Sequence, residues 1–364
     1  MSRILAIHLL NDRSGSPFVF RQSLEALQKE GHKIILFTSA SEDGFLSDIP
    51  GVNYRFINYR WSKIKLITLF NFAKVNLHLL LVFLVKTNKN DIIYINSILP
   101  FGAAIAGRLK HSKVIYHMHE VSIKPEALKK WLITVVNHCA STCIHVSHFL
   151  KDALQLTVSD QQVIYNSLPQ SFIQLAKNNN QTASTSHSFN ILMICSLKDF
   201  KGIPEFIKLA AELPEMHFDL VLNASPAQIE DYFRDKQLSQ NINTYPSQKD
   251  VHPFYQNTDV LVNLSRTDEW LETFGMTVLE GMYYGKPCIV PTKGGASELI
   301  THNQNGYHIA GKNTDELKKI LTQLKNETTL YNSLSKKAFE SALTFHPNHF
   351  KKAITDLFTL KSSH

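Results

Sequence analysis

Residues 272–300, ETFGMTVLEGMYYGKPCIVPTKGGASELI, join a polar loop, a predicted helix and a short apolar strand. The helix is expected to begin close to Phe274 and Gly275 and to end near Tyr284. The run PCIVPT comes next and has the length and β-branched composition of a buried strand. A helix that leads into a buried strand is typical of α/β folds, in which helices cover a parallel sheet.

Similar runs alternate with helical patterns along the whole chain. RILAIHLL, KIILFTS, DIIYINS, KVIYHMH and CIHVS occupy the first half, and FNILMICS, FDLVLNA, INTYP, DVLVNLS and PCIVPT occupy the second. β-branched runs of this length, separated by helices, predict parallel sheets that are covered on both faces. The fold class is therefore α/β, with two doubly wound parallel-sheet domains.

The polar stretch KNNNQTASTSHS at 177–188 has no periodicity and is predicted to be a linker. The first domain is then expected to cover 1–176 and the second 189–345. A helix over about 346–364 is expected to pack back on the first domain. The carboxyl ends of both sheets would face a common cleft, where open α/β folds bind their ligands.

The composition excludes several classes of protein. An apolar content of 44% and a charged content of 19% are typical of a globular chain. Four scattered cysteines do not form a disulfide framework, and the strand-like pattern around Cys143 argues against a metal site with Cys139. No signal peptide is visible, and the apolar run Val75–Val85 is shorter than the roughly 18 residues that span a bilayer. The expected location is cytoplasmic.

The positive charge is concentrated in one segment. The chain has a formal net charge of +7, and the segment 49–90 alone has seven cations and no acid. A local basic and apolar segment argues against a nucleic-acid partner and for an anionic membrane surface contacted through 55–89. An ordinary domain helix with basic ends is the open alternative. The seven cations are Arg55, Arg60, Lys63, Lys65, Lys74, Lys86 and Lys89.

Two carboxylates are the first candidates for ligand binding. Glu272 lies in the loop before the predicted helix, and Glu280 lies about two turns further on. The backbone N–H groups of residues 275–277 would lie near both carboxylates. Hydroxyl-binding carboxylates around an anion-binding helix end suit a nucleotide sugar, whose two polyol parts are joined by phosphate. The alternative is a helix-capping Glu272 and a solvated Glu280.

A second anion site is suggested by Gly15 and Ser16, which precede a predicted helix after the first strand. The loop is not a Gly-x-Gly-x-x-Gly motif, so no dinucleotide fingerprint is present.

These motifs resemble those of retaining GT-B glycosyltransferases of family 4. The donor-site signature of that family is similar to Glu272-x7-Glu280 with Phe274-Gly275 inside it, Gly285-x-Pro287 after it and Gly294-Gly295-x2-Glu298 beyond. Further matching stretches follow in the family's order: YHMHE at 116–120, VIYNS at 163–167, SLKDFKG at 196–202 and NQNGYHI at 303–309. The resemblance implies a GT-B architecture, with an acceptor-side first domain and a nucleotide-sugar-binding second domain.

The resemblance also implies roles for residues of the second domain. Glu280 would bind the ribose hydroxyls, and Glu272 would bind hydroxyls of the transferred sugar. Lys201 matches a lysine that binds the diphosphate. Cys195-Ser196-Leu197 stand where many members have Gly-Arg-Leu, so Lys198 is the nearest second cation. Backbone groups of Phe274, Gly275, Met276 and Thr277 would help to hold the sugar and the diphosphate.

In the first domain, Gly15 and Ser16 match the loop that closes on the phosphates. His119 matches a histidine near the reacting sugar, and Glu120 would contact the acceptor. The implied catalytic residues are Glu272, His119 and Lys201.

The implied reaction retains the anomeric configuration by attack on the face that the diphosphate leaves. A phosphate oxygen takes the acceptor's proton, so no protein nucleophile is expected. No metal and no cofactor is expected, because cations and helix ends stabilise the leaving group. A UDP-sugar is favoured over a GDP-sugar, and the acceptor would be a saccharide or lipid-linked saccharide of cell-surface polysaccharide or glycolipid synthesis. A nucleotide-sugar epimerase and a catalytically silent nucleotide-sugar-binding subunit are the alternatives.

Overall fold

The protein is described here by a computed structural model that covers residues 2–41, 43–60, 62, 64–179 and 188–359. It divides into two compact units. The first contains Met1–Asn166 and Asn348–His364, and the second contains Ser167–Pro347.

The first unit contains a parallel sheet of seven strands within the described residues. The strands are β1 Arg3–Ile7, β2 Lys33–Ser39, β3 Val52–Ile57, β4 Ile92–Asn96, β5 Lys113–Met118, β6 Thr142–His145 and β7 Gln161–Val163. Their order is β3-β2-β1-β4-β5-β6-β7. All residues of β4 are buried, as expected for a central strand with helices on both faces. The helices are α1 Gly15–Lys29, α2 Lys65–Lys86, α3 Phe101–Leu109, α4 Glu126–Cys139, α5 His148–Leu154 and α13 Pro347–Phe358.

The second unit contains a parallel sheet of six strands within its described part. The strands are β8 Asn190–Ser196, β9 His217–Asn223, β10 Ile242–Tyr245, β11 Val260–Val262, β12 Cys288–Val290 and β13 Gly306–His308, in the order β10-β9-β8-β11-β12-β13. The helices are α6 Gln170–Asn179, α7 Ile203–Glu212, α8 Pro226–Phe233, α9 His252–Gln256, α10 Met276–Tyr283, α11 Thr314–Asn326 and α12 Thr328–Ala342. The predicted α/β class with two doubly wound parallel sheets is thus confirmed.

The division between the units lies ten residues before the predicted end of the first domain at 176. The reason is α6, whose Phe172 ring lies 4.4 Å from the ring of His252 in the second unit. Residues 177–179 of the predicted linker belong to this helix, and residues 180–187 lie outside the described part of the chain.

The last helix belongs to the first unit, although it follows the second unit in sequence. The Phe358 ring of α13 lies 4.8 Å from the ring of Tyr94 in β4. The Lys113 ammonium donates a hydrogen bond of 2.7 Å to the carbonyl of Leu357. Residues 360–364 lie outside the described residues.

Helix α2 corrects one expectation. No segment was expected to reach the length that spans a bilayer, because the uncharged run was counted only from Val75. The helix continues across Lys74, and over 22 residues it is, by length and composition alone, long and apolar enough to cross a membrane. Its most apolar window has a mean hydropathy of 1.7, and only 28% of that window is buried.

Candidate functional site

The candidate site of the second unit lies at the carboxyl ends of three neighbouring strands, β8, β11 and β12. Parallel strands end at the same edge of a sheet, so the loops that follow them lie together. These loops carry Lys201 after β8, Glu272 after β11 and the Gly294-Gly295 pair after β12.

Lys201 ends a short 3-10 helix, Asp199–Lys201, that follows β8. Gly202 comes next with a φ of +88°, and a Cβ there would lie 2.5 Å from the carbonyl oxygen of Leu264. Only glycine therefore permits this turn against the end of β11. The turn directs the Lys201 side chain inward, where the Trp270 ring centroid lies 5.1 Å from its Nζ atom.

Lys201 and Glu272 form an ion pair, in which Nζ of Lys201 donates a hydrogen bond to Oε1 of Glu272. Both side chains are largely buried, with 13% and 24% of their surface exposed. The same carboxylate oxygen accepts a hydrogen bond of 3.1 Å from the hydroxyl of Ser265. The two predicted site residues are thus in direct contact, and Ser265 fixes the carboxylate.

The glycine pair after β12 supports the backbone of the Glu272 loop. The N–H of Gly295 donates to the Glu272 carbonyl over 2.6 Å. A Cβ on Gly295 would lie 2.0 Å from the carbonyl oxygen of Thr273, and Gly294 has a φ of +118°. The close approach of the two loops therefore requires both glycines.

Helix α10 begins at Met276, with Gly275 as its N-cap and without a side-chain cap. Phe274 is buried just before it. The first N–H groups of a helix have no partner inside the helix, so residues such as Met276 and Thr277 can offer theirs to an anion.

Glu280 lies on α10, just over one turn after its first residue Met276 and about two turns beyond Glu272. The buried hydroxyl of Tyr255 donates a hydrogen bond to its Oε2 atom. Burial raises the pKa of Glu280 to about 7, although this hydrogen bond acts in the opposite direction. Glu280 is therefore not a solvated helix residue.

Lys198 lies before the 3-10 helix and is exposed. Its backbone N–H bonds to the Ser196 carbonyl over 2.8 Å. Its ammonium makes no hydrogen bond or ion pair within the described part of the chain. The structure therefore does not bring Lys198 into the Lys201–Glu272 pair.

In the first unit, Asn96 at the end of β4 connects two of the predicted residues. Its side-chain amide donates a hydrogen bond of 2.8 Å to the hydroxyl of Ser16. The side-chain oxygen Oδ1 of the same residue accepts a hydrogen bond of 2.8 Å from Nε2 of His119. Gly15 and Ser16 are the first residues of α1 and do not precede it, since Ser14 is the N-cap.

The environment of His119 favours the neutral ring. Burial lowers its pKa well below the usual value, and the neighbouring rings of His117 and His8 lower it further. The ring of His117 lies 4.5 Å away. With Nε2 donating to Asn96, the neutral ring carries its lone pair on Nδ1.

Glu120 follows His119 and has a carboxyl group that is largely removed from water. Burial raises its pKa, and hydrogen bonds from Ser97 and from the backbone of Ile98 act in the opposite direction. Its Oε2 atom has no hydrogen-bond partner among the residues that the structure describes. A buried, unsatisfied carboxylate oxygen is costly and suits a site that accepts a polar ligand.

Sequence reasoning missed four residues of these sites: Asn96, Tyr255, Ser265 and Trp270. Asn96 and Ser265 are polar residues that close the apolar runs DIIYIN and DVLVNLS, and that position is a signal for a site at strand ends. Tyr255 and Trp270 gave no such signal, since their roles depend on contacts between loops.

No metal centre is apparent in the described ranges. No group of three or more His, Cys, Asp and Glu side chains there could hold an ion. All four cysteines are free thiols. Cys139, Cys143 and Cys288 are buried, and Cys195 is half-buried.

Two family models match consecutive parts of the chain. The model of glycosyltransferase family 4 matches residues 14–169, and the model of glycosyl transferases group 1 matches residues 176–341. A Haemophilus influenzae protein described as an uncharacterized glycosyltransferase is 25% identical over 171 residues, which is 45% of each chain. The chain thus matches less than half the length of that relative. An uncharacterized 41.2 kDa protein in the cps region of Klebsiella pneumoniae is 24% identical over 76% of this chain and 80% of its own.

A solved structure of similar fold is that of the Anabaena protein Alr3699/HepE in complex with UDP and glucose. It has a TM-score of 0.79 and 19% sequence identity, and the match covers 99% of this chain and 100% of that one. At this identity the likeness establishes the fold. The chain belongs to the group 1 glycosyltransferases of family 4 and has the GT-B fold.

Proposed function

We propose that the protein is a retaining, metal-independent glycosyltransferase of the hexosyltransferase type. It moves a sugar from a nucleotide sugar, with a UDP-sugar favoured over a GDP-sugar, to a saccharide or lipid-linked saccharide. The contact between Lys201 and Glu272 beside the N-terminus of α10 carries the proposal. It combines a cation for a diphosphate, a carboxylate for sugar hydroxyls and a helix end in one place.

In this proposal the second unit binds the donor. Glu280 accepts hydrogen bonds from the ribose hydroxyls, and Tyr255 holds its carboxyl group in position. Glu272 binds the transferred sugar, and the backbone from Phe274 to Thr277 holds the sugar and the diphosphate. The complexes of Alr3699/HepE with UDP and with UDP-glucose support a uridine nucleotide as the donor group.

Lys201 supplies charge stabilisation, because bond cleavage leaves negative charge on the departing diphosphate. Lys198, which is exposed on the same loop, provides a second cation. Gly15 and Ser16 at the N-terminus of α1 close on the phosphates. Attack from the face that the diphosphate leaves retains the configuration, and a phosphate oxygen accepts the proton of the acceptor.

The first unit receives the acceptor in this proposal. His119, held in one orientation by Asn96, contacts the reacting sugar. Glu120 contacts the acceptor saccharide. Its Oε2 atom lacks a partner within the described residues and accepts a hydrogen bond from a hydroxyl of that saccharide. We place the enzyme in the cytoplasm, at the inner face of the membrane, in the synthesis of cell-surface polysaccharide or glycolipid.

The test begins with thermal-shift titrations against UDP-, GDP- and ADP-sugars, followed by transfer assays with the best donor. The proposal is supported by transfer onto a lipid-linked saccharide that persists in the presence of a metal chelator. NMR of the product should show that the new anomeric centre has the same configuration as the donor. Epimerised donor without transfer would indicate an epimerase, and binding without turnover would indicate a silent subunit. An inverted product would contradict the retaining mechanism.

A further inference from the structure

Helix α2 presents an apolar face that no described part of the chain covers. Its buried residues, Phe72, Val75, Asn76, Leu79 and Phe83, form one stripe. The opposite stripe, whose residues are four or seven positions apart, is apolar as well, whereas a surface helix normally places polar residues there. The exposed fractions are 78% for Leu66, 68% for Phe70, 59% for Leu77, 56% for Leu81 and 85% for Val85.

The buried stripe holds α2 firmly on its own unit. The side-chain oxygen of Asn76 accepts a hydrogen bond of 3.0 Å from the N–H of Gly102 in α3. A Cβ on Gly102 would lie 2.0 Å from the Asn76 carbonyl oxygen, so the two helix backbones touch. The Phe83 ring lies 4.8 Å from that of Phe37 in β2.

The connections of α2 exclude a crossing of the bilayer by the folded chain. The helix links β3 to β4, and both strands belong to the same sheet. Both ends of the helix must therefore stay with that sheet. A helix fixed in this way can only lie flat on a surface, with its exposed stripe turned outward.

The charges around the stripe select the partner. The segment 49–90 contains no acid, and its cations Lys65, Lys74 and Lys86 are exposed at the start, middle and end of α2. Arg55, Arg60 and Lys89 are also exposed nearby, and Lys63 lies outside the described residues. A second copy of this chain docked on the stripe would bring like charges together, which is unfavourable. An anionic lipid surface is complementary to both the charge and the apolar stripe.

We propose that α2 is an interfacial anchor whose apolar stripe enters the acyl boundary of an anionic bilayer while its lysines contact the headgroups. The inference that this anchor brings the enzyme to a lipid-linked acceptor rests on the proposed function. The anchor differs from purely electrostatic adhesion, because inserted leucine and phenylalanine side chains keep part of the affinity at high salt.

The test is sedimentation of the full chain with phosphatidylglycerol–phosphatidylcholine vesicles and with phosphatidylcholine vesicles alone, in low and high salt. Wild type is expected to sediment with the anionic vesicles and to keep part of this binding in high salt. The double variant Leu77→Gln/Leu81→Gln is expected to lose at least about tenfold in partitioning, the value for one buried leucine. Leu175→Gln is the matched control, because Leu175 is 48% exposed on α6 of the second unit.

A variant with Lys65, Lys74 and Lys86 changed to Ser is expected to lose the salt-sensitive part only. Wild type that ignores anionic vesicles at low salt would overturn the anchor, as would a Leu77→Gln/Leu81→Gln variant that binds like wild type. A wild-type dimer that this variant dissociates in light scattering would assign the stripe to a second copy instead. Vesicle binding needs neither donor nor acceptor, and transfer to a soluble saccharide needs no vesicle, so each proposal can fail without the other.

Discussion

The ammonium of Lys201 donates a hydrogen bond to the carboxylate of Glu272. The residue proposed to bind the diphosphate is therefore paired with the residue proposed to bind the transferred sugar. The pair is mostly shielded from water, and Ser265 bonds to the same carboxylate oxygen. A diphosphate that approaches Lys201 therefore competes with Glu272 for the same cation. Donor binding and rearrangement of this pair are expected to be coupled.

Replacing Glu272 with glutamine should separate nucleotide affinity from transfer. The neutral amide holds Lys201 less strongly, so free UDP should bind about three- to tenfold more tightly, within the range of one charged hydrogen bond. Transfer should fall, because the amide no longer accepts hydrogen bonds from the sugar at both oxygens. Isothermal titration with UDP and steady-state transfer assays measure the two effects.

Glu269→Gln is the matched control for this change. Glu269 lies on the same loop, but its carboxylate pairs with Arg266 at 3.1 Å and with Lys312 at 3.7 Å. The Glu269→Gln variant should therefore have the same UDP affinity and the same transfer rate as wild type. Weaker UDP binding by Glu272→Gln would mean that Lys201 and Glu272 do not compete, and the coupling would have to be abandoned.

The affinity for nucleotide should depend on pH through Glu280, whose pKa is about 7. A carboxylate accepts hydrogen bonds from both ribose hydroxyls, and its protonated form does so less well. UDP affinity should therefore decrease as the pH falls below 7 and level off above it. Titrations across this range test the dependence, and Glu280→Gln should bind weakly with a flat profile. A profile in the variant that matches wild type would assign the dependence to another group.

The same shift makes a prediction about stability. The folded pKa of Glu280 is raised from the ordinary value of 4.5 to about 7, so the folded state binds the proton more tightly than the unfolded state. The stabilising effect of protonation is complete below pH 4.5 and is lost as the pH rises to 7. Above pH 7, the free energy of unfolding of Glu280→Gln should exceed that of wild type by at most about 3.5 kcal/mol, at 1.4 kcal/mol per pKa unit, so the variant should unfold at a higher temperature. Equal melting temperatures at pH 8 would contradict the raised pKa.

Two glycine-to-alanine changes should have opposite effects on stability. At Gly295 the new Cβ would lie 2.0 Å from the Thr273 carbonyl oxygen, and at Gly15 nothing lies within 4 Å. Gly295→Ala should lower the melting temperature of the protein and reduce UDP binding, because the backbone beside Glu272 must shift. Gly15→Ala, in the first turn of α1, should stabilise by about 0.5 kcal/mol. Thermal unfolding measures both, and an unchanged Gly295→Ala protein would refute the role of the close approach.

Most of the fold could be predicted because its central strands are largely buried, as in β4, where every residue is buried. The ten apolar runs read from the sequence all coincide with strands, from RILAIHLL at β1 to PCIVPT at β12. The three strands that were missed, β3, β7 and β13, all lie at sheet edges. An edge strand is short or half exposed, as in β3 with exposed Arg55, so its apolar signal is weak.

The candidate site could be predicted only residue by residue. Lys201 and Glu272 are 71 positions apart, and their contact depends on β8 and β11 being neighbours in the sheet. The partnership of Glu280 with Tyr255 depends in turn on how α9 packs beside α10, which no local pattern reveals. Motif spacing identified the carboxylates, whereas the groups that orient them required the tertiary structure.

The two lysines after β8 should differ in their contribution to transfer. Lys201 is enclosed beside Trp270, so Lys201→Ala removes charge stabilisation where solvent is scarce and should lower kcat by at least about a hundredfold. Lys198 is exposed, and solvent weakens its charge, so Lys198→Ala should reduce kcat by about tenfold or less. Lys198→Arg should keep or raise activity, because a guanidinium can bind a diphosphate through two parallel hydrogen bonds. Steady-state kinetics with a saturating donor compares the three variants. An inactive Lys198→Arg enzyme beside an active Lys198→Ala enzyme would exclude Lys198 as the second cation of the diphosphate site.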